Sequence, residues 1–116
     1  VIVNTGSIAA MVANLDGEVA YCASKGAIKM LTKAIASDLA GANIRVNSVH
    51  PGVVNTPMAA DFFKDPDLAR ELLGTTLMKR AAAPAEISQA IAFLISDSAS
   101  FMTGSDLVVD GGFTAV

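Results

Sequence analysis

The chain has 116 residues, 53% hydrophobic and 16% charged, which allows one small domain with more apolar material than an average soluble one. Its net charge of −3, without any Lys/Arg cluster, argues against nucleic acid as a partner. The single cysteine, Cys22, rules out a disulfide framework or a Cys/His metal pattern.

Val1-Ile2-Val3-Asn4 is a β-branched run that predicts a buried strand. The chain opens inside this run with no Met before it, which reads as a truncation. Residues 5–19 are loop-like. From about Ala20 to Leu39, apolar residues recur at Ile28, Leu31, Ile35 and Leu39, steps of three and four that predict an amphipathic helix. Gly41 follows as the expected C-cap. Ile44 to His50 predicts a second strand, stopped by Pro51-Gly52. Within the mixed stretch 53–83, Asp67–Leu73 has a weaker helical pattern, with Pro66 in a first-turn position. Pro84 and Glu86 open a third helix, with an apolar face at Ile87, Ile91, Leu94 and Ile95. Leu107-Val108-Val109 is the last strand, and Asp110-Gly111-Gly112 turns away from it.

The order β-α-β-α-α-β predicts an α/β fold with parallel strands. An exposed first strand would be an unsatisfied edge, so a larger sheet is expected to continue beyond Val1–Asn4. No apolar run approaches the ~20 residues that span a bilayer, and no signal peptide is visible. The expected setting is the cytoplasm, without a membrane.

Tyr21 and Lys25 stand at i and i+4, on one helix face. A phenol ionises near pH 10, so acid/base work near neutrality needs its anion stabilised, and an ammonium one turn away contributes to that. Ser7, fourteen positions ahead of Tyr21, lies just past the first strand. A strand end facing a helix start lets the two hydroxyls converge on one oxygen. Either feature alone is weak, since a Ser after a strand is commonly a turn residue. Their weight comes from an ordered set in one short chain: Asn4-Thr5-Gly6-Ser7, Tyr21-Cys22-Ala23-Ser24-Lys25, Arg45 to Gly52, Thr56-Pro57 and Val109-Asp110-Gly111-Gly112.

Over all 116 residues this set resembles the classical short-chain dehydrogenase/reductase family, in its C-terminal half. Within the family it looks most like bacterial secondary-alcohol, cyclic-alcohol and hydroxysteroid dehydrogenases. The resemblance implies the C-terminal part of a doubly wound Rossmann fold, with 1–116 as the catalytic half of one domain and about 53–83 as a substrate lid. It implies an oxidoreductase that interconverts a secondary alcohol and a ketone with NAD or NADP, NAD being favoured. Ser7 would orient the substrate oxygen, Tyr21 would be the general acid/base, and Lys25 would support the tyrosinate and bind the nicotinamide ribose. Thr5, Tyr21, Lys25, Pro51, Gly52, Val54 and Thr56 would make the cofactor contacts, Val54 through its backbone to the carboxamide. No metal is implied. The partners implied are a small hydrophobic alcohol or ketone and further copies of the chain, as a tetramer or dimer.

The family's glycine-rich phosphate loop is absent, as are its ribose selector and relay asparagine, so the 116-residue piece alone is expected to be inactive. Thr5-Gly6-Ser7 stands where paired serines are usual, and Gly6 is expected to loosen the strand end. His50, held extended by Pro51, is read as structural, Cys22 as a packing residue, and Asp61, Asp65 and Asp67 as a solvated stretch. Met58, Phe62, Phe63, Leu72, Leu73, Leu77 and Met78 suit either an apolar lid or ordinary packing. Two other functions remain open. One is a ketoacyl-thioester reductase or sugar dehydrogenase of the same family, for which Lys64, Arg70, Lys79 and Arg80 are the candidate carrier contacts. The other is a non-catalytic fragment serving as a scaffold or oligomerisation piece.

Overall fold

The computed structural model describes residues 1–13 and 18–116, so part of the loop expected over 5–19 lies outside the described residues. Three parallel strands, β1 (Ile2–Thr5), β2 (Val46–Pro51) and β3 (Asp106–Val109), pair in the order β1-β2-β3. Helix α1 (Val19–Leu39) connects β1 to β2, and α2 (Pro66–Leu73) and α3 (Pro84–Ile95) lie between β2 and β3. The alternation of strands and helices thus produces the parallel α/β sheet it predicts. None of the described helices is long and apolar enough to cross a membrane.

The core gathers on β2. Val49, Ile87 and Leu94 are buried together, with Val3, Val54, Leu107 and Val109 packed against them. Leu94 is fully enclosed, so Leu94→Ala in the full-length protein is expected to cost about 3 kcal/mol, read from the denaturant midpoint. Ile95, placed by periodicity on the same face, is instead 54% exposed, because α3 turns Ile87, Ala90, Ile91 and Leu94 to the sheet.

Helix α1 also departs from its apolar stripe. Leu31 faces outward, and the fully buried positions are Thr32 and Ala36. Small side chains let the helix lie close to the sheet. A Cβ on Gly104, just before β3, would rest 3.6 Å from that of Ala36. Thr32 Oγ1 donates to the Ile28 carbonyl (2.8 Å) and accepts from Asn4 Nδ2 (3.0 Å), which ties α1 to β1. Gly41 is not the cap. The helix tightens into a 3₁₀ turn over Ala40–Ala42, and Asn43 takes the left-handed conformation (φ 56°) that ends it.

Arg45 closes the other side of the sheet. Its guanidinium donates to the carbonyls of Leu94 (3.0 Å), Ser96 (3.0 Å) and Met102 (3.3 Å). These include carbonyls left unpaired at the C-terminal end of α3, where a cation also suits the helix dipole.

Segment 53–83 is a closed excursion. Asn55 N–H donates to the Ala82 carbonyl and Ala82 N–H to the Val53 carbonyl, both at 2.9 Å, so its two ends pair. The expected acidic stretch is used locally. Asp65 caps α2 by accepting from the Asp67 N–H (2.8 Å), and Asp61 and Asp67 pair with Lys64 and Arg70. Met58, Phe62, Leu77 and Met78 are exposed, whereas Phe63, Leu72 and Leu73 are half-buried.

Helix α3 starts from a forked ion pair. Arg80 donates two hydrogen bonds to Glu86 (2.7 and 2.8 Å), and Glu86 also accepts from the Ala83 N–H (2.8 Å). The Arg80 hydrogen bond, then the Ala83 amide, hold the Glu86 carboxyl down to about 2, below its usual 4.5. A carboxyl depressed by folding contributes stability above pH 4.5, lost as pH falls toward about 2. The stability gap between the parent protein and Glu86→Gln is therefore expected to be full at neutral pH and to close on acidification, as urea midpoints taken across that range would show.

Candidate active site

The C-terminal ends of the three strands lie along one edge of the sheet, the edge where ligands bind in open parallel α/β folds. Gly6 N–H donates to the Val49 carbonyl (2.8 Å) and so extends the β1–β2 ladder one residue past Thr5. Ser7 is extended and caps a single 3₁₀ turn, Ile8–Ala10, anchored by buried Ile8 and Ala9. Ser7 Oγ accepts from the Ala9 N–H (3.2 Å), and its O–H and second lone pair have no partner among the described residues.

Gly6 does not loosen this strand end. It is buried and paired, and a Cβ there would meet Nδ1 and Cε1 of His50 at 2.5 Å. The glycine makes room for the imidazole.

Tyr21 and Lys25 occupy the first two turns of α1, which packs against the Ser7 turn. Lys25 Nζ donates to the Thr5 carbonyl (3.3 Å) and lies 5.5 Å from the centroid of the Tyr21 ring. Its ammonium bridges the end of β1 and the tyrosine. Tyr21 is 42% exposed. Cys22 beside it is half-buried.

Pro51, Gly52, Val54 and Thr56 leave the end of β2. Gly52 N–H donates to the Val109 carbonyl (3.0 Å), and a Cβ on Gly52 would strike Asp110 Cα at 2.8 Å, so only glycine fits between the two strand ends. Asp110 supports this crossing point. It accepts from the N–H groups of Gly112 (2.9 Å) and Thr114 (2.8 Å) and from the Thr114 hydroxyl (2.7 Å). Burial opposes its charge, yet these donors hold its carboxyl below the ordinary range. Val54 bridges to Ala82 through its neighbours' amide and carbonyl, so its own N–H and C=O point away from Ala82. Thr56 is half-buried at the start of the following turn. Further along this segment, an open cleft of about 420 Å³ is lined by Asn55, Phe63, Leu73, Arg80 and Ala81.

A polar chain within the fold was not foreseen as part of this site. His50 is fully buried; its Nδ1–H donates to the Ser7 carbonyl (3.0 Å), and Nε2 lies 2.9 Å from Ser48 Oγ and 3.2 Å from Asp106 Oδ1. Ser48 donates to Asp106 (2.7 Å), and Lys33 Nζ reaches Asp106 Oδ2 at 3.1 Å. Burial opposes the Asp106 charge, but hydrogen bonds from Ser48 and Lys33 hold its carboxyl below the usual range. The available sequence signal was spacing, since residues two apart in a strand share a face.

Residues 1–114 match a family model described as Enoyl-(Acyl carrier protein) reductase. Cyclopentanol dehydrogenase of Comamonas sp. (strain NCIMB 9872) is 60% identical over 114 residues, which cover 98% of this chain and 45% of that protein. Cyclohexanol dehydrogenase of Acinetobacter sp. (strain SE19) is 44% identical, covering 98% and 43% respectively. The structure of 4-hydroxyisoleucine dehydrogenase complexed with NADH superposes with a TM-score of 0.91 at 39% identity, covering 99% of this chain and 47% of that one. The chain thus spans somewhat less than half the length of the curated relatives it matches.

Proposed function

Because the chain belongs to the short-chain dehydrogenase/reductase family, we propose that it carries the catalytic half of an NAD(P)-dependent enzyme interconverting a secondary alcohol and a ketone. The observation that carries this reading is the Lys25 ammonium, held between the Thr5 carbonyl and the Tyr21 ring beside the turn that Ser7 caps. In the oxidative direction, Ser7 donates its free O–H to the substrate oxygen, and Tyr21 as phenolate takes the hydroxyl proton while the carbonyl forms. In reduction, Tyr21 returns that proton. Lys25 stabilises the phenolate through its charge.

The site suits a nicotinamide. Val54 has an amide and a carbonyl turned outward, as a carboxamide requires, and Thr56, Pro51 and Gly52 flank it. Lys25 has donors beyond the one given to Thr5, and with Tyr21 and the Thr5 strand end it would hold the ribose. When bound, the dinucleotide supplies or accepts the hydride. NADH in the matching 4-hydroxyisoleucine dehydrogenase structure supports NAD over NADP.

The substrate is a small hydrophobic alcohol, in keeping with the cyclopentanol and cyclohexanol dehydrogenases among the relatives and with the apolar side chains of segment 53–83. Three of the four basic residues available to a phosphopantetheine carrier, Lys64, Arg70 and Arg80, are already paired with carboxylates, which favours the free alcohol over a carrier thioester. We place segment 53–83 as the substrate lid, and the protein as a cytoplasmic homo-oligomer.

The test is turnover by the full-length protein with NAD and NADP across cyclic and acyclic secondary alcohols. Reduction of the cofactor by a cyclic alcohol is expected. A full-length protein that binds the dinucleotide but oxidises none of the panel would instead favour the scaffold reading.

A further inference from the structure

We propose that His50 is a positioning residue for Ser7, acting through the Ser7 carbonyl. This inference rests on the dehydrogenase reading above for what Ser7 does, but its geometry stands alone. Ser7 leaves the end of β1 and must hold its hydroxyl still while its chain turns into a single 3₁₀ turn. Among the described residues, Ser7 Oγ has only the Ala9 N–H to fix it, at 3.2 Å. The backbone at Ser7 is held from two sides. Its carbonyl accepts from the Ala10 N–H (3.0 Å) and from His50 Nδ1–H (3.0 Å). The first bond lies within the turn. The second crosses to β2 and fixes the turn against the sheet.

The imidazole is itself fixed. A carbonyl at Nδ1 requires the hydrogen on that nitrogen. At Nε2 the ring meets Ser48 and Asp106, and Lys33 holds Asp106 from α1. The ring is fully buried, and Gly6 packs against it without a Cβ. The chain Lys33–Asp106–Ser48/His50–Ser7 therefore joins α1, β3 and β2 to the carbonyl of the residue that orients substrate. The same helix carries Tyr21 and Lys25, so this chain fixes Ser7 in the frame of α1 as well as of the sheet.

Three substitutions in the full-length enzyme separate the two ends of the ring. His50→Asn keeps a donor near the Nδ1 position, His50→Gln keeps a polar group near the Nε2 position, and His50→Leu removes both. The expected result is that His50→Leu and His50→Gln lower kcat by about 100-fold at unchanged dinucleotide affinity. Exchange of the Ala9 and Ala10 amides, followed by NMR, is expected to quicken about ten-fold in both variants. His50→Asn is expected to restore both readouts. A folded His50→Leu with parental kcat and parental exchange would overturn the proposal, as would recovery by Gln and not by Asn. Turnover retained in Tyr21→Phe would sink the dehydrogenase assignment instead, and the exchange of Ala9 and Ala10 would still decide whether His50 holds Ser7.

Discussion

Replacing Tyr21 by Phe in the full-length protein is expected to lower kcat by about 1000-fold or more while dinucleotide affinity falls far less, by the loss of one hydroxyl contact to the ribose. The substitution removes one hydroxyl and leaves the ring. Tyr21 is 42% exposed and its position on α1 is set by the helix, so packing changes little. The Lys25 ammonium also keeps its hold on the Thr5 carbonyl. What disappears is the only phenol in the chain, since Tyr21 is the single tyrosine. His50 cannot take its place as a base, because it is enclosed and its Nδ1–H is committed to Ser7. Steady-state oxidation of an alcohol and isothermal calorimetry with NAD and NADP check the two halves of this expectation. Turnover near the parental rate in Tyr21→Phe would remove the acid/base assignment.

The features legible in the sequence were those with a local cause. The β-branched run at Ile2-Val3 and the buried Val46 and Val49 give strands, and Pro84 with Glu86 marks the start of α3. The spacing of Ser7, Tyr21 and Lys25 also foretold that they lie close together, because a strand end and the following helix start are neighbours in a parallel α/β unit. The misreadings have non-local causes. Leu31 satisfies helix periodicity, yet the sheet accepts the smaller Thr32 and Ala36 at the contact. Asn43 ends the helix region where Gly41 was expected, since an asparagine tolerates the left-handed conformation too. Arg45 reaches carbonyls roughly fifty positions away, and His50 meets Ser7 and Asp106 only because three strands align in register. Gly6 reads as a loosened strand end from its neighbours in sequence, and only the ladder sets the His50 imidazole against it.

Lys25→Met should be nearly as damaging, and in a different way. The ammonium has three donors. One is given to the Thr5 carbonyl at 3.3 Å, which fastens α1 to the end of β1. The others have no partner among the described residues and are the ones proposed to meet a ribose, and the charge sits 5.5 Å from the centre of the Tyr21 ring. Methionine matches the length of the stem and removes all three contributions, so kcat should fall by about 100-fold or more and dinucleotide affinity should weaken more than in Tyr21→Phe. Lys25→Arg then distinguishes charge from geometry. If the charge beside Tyr21 is all that matters, Arg restores turnover. If the Thr5 anchor and the ribose contacts must be made together, the planar fork of a guanidinium cannot supply both from one position, and Arg restores little. The bond to Thr5 points to the second outcome, because it fixes where the nitrogen must stand. Measuring kcat and dinucleotide Kd for Met and Arg variants side by side checks this. An Arg variant with parental values in both would leave Lys25 with an electrostatic role alone.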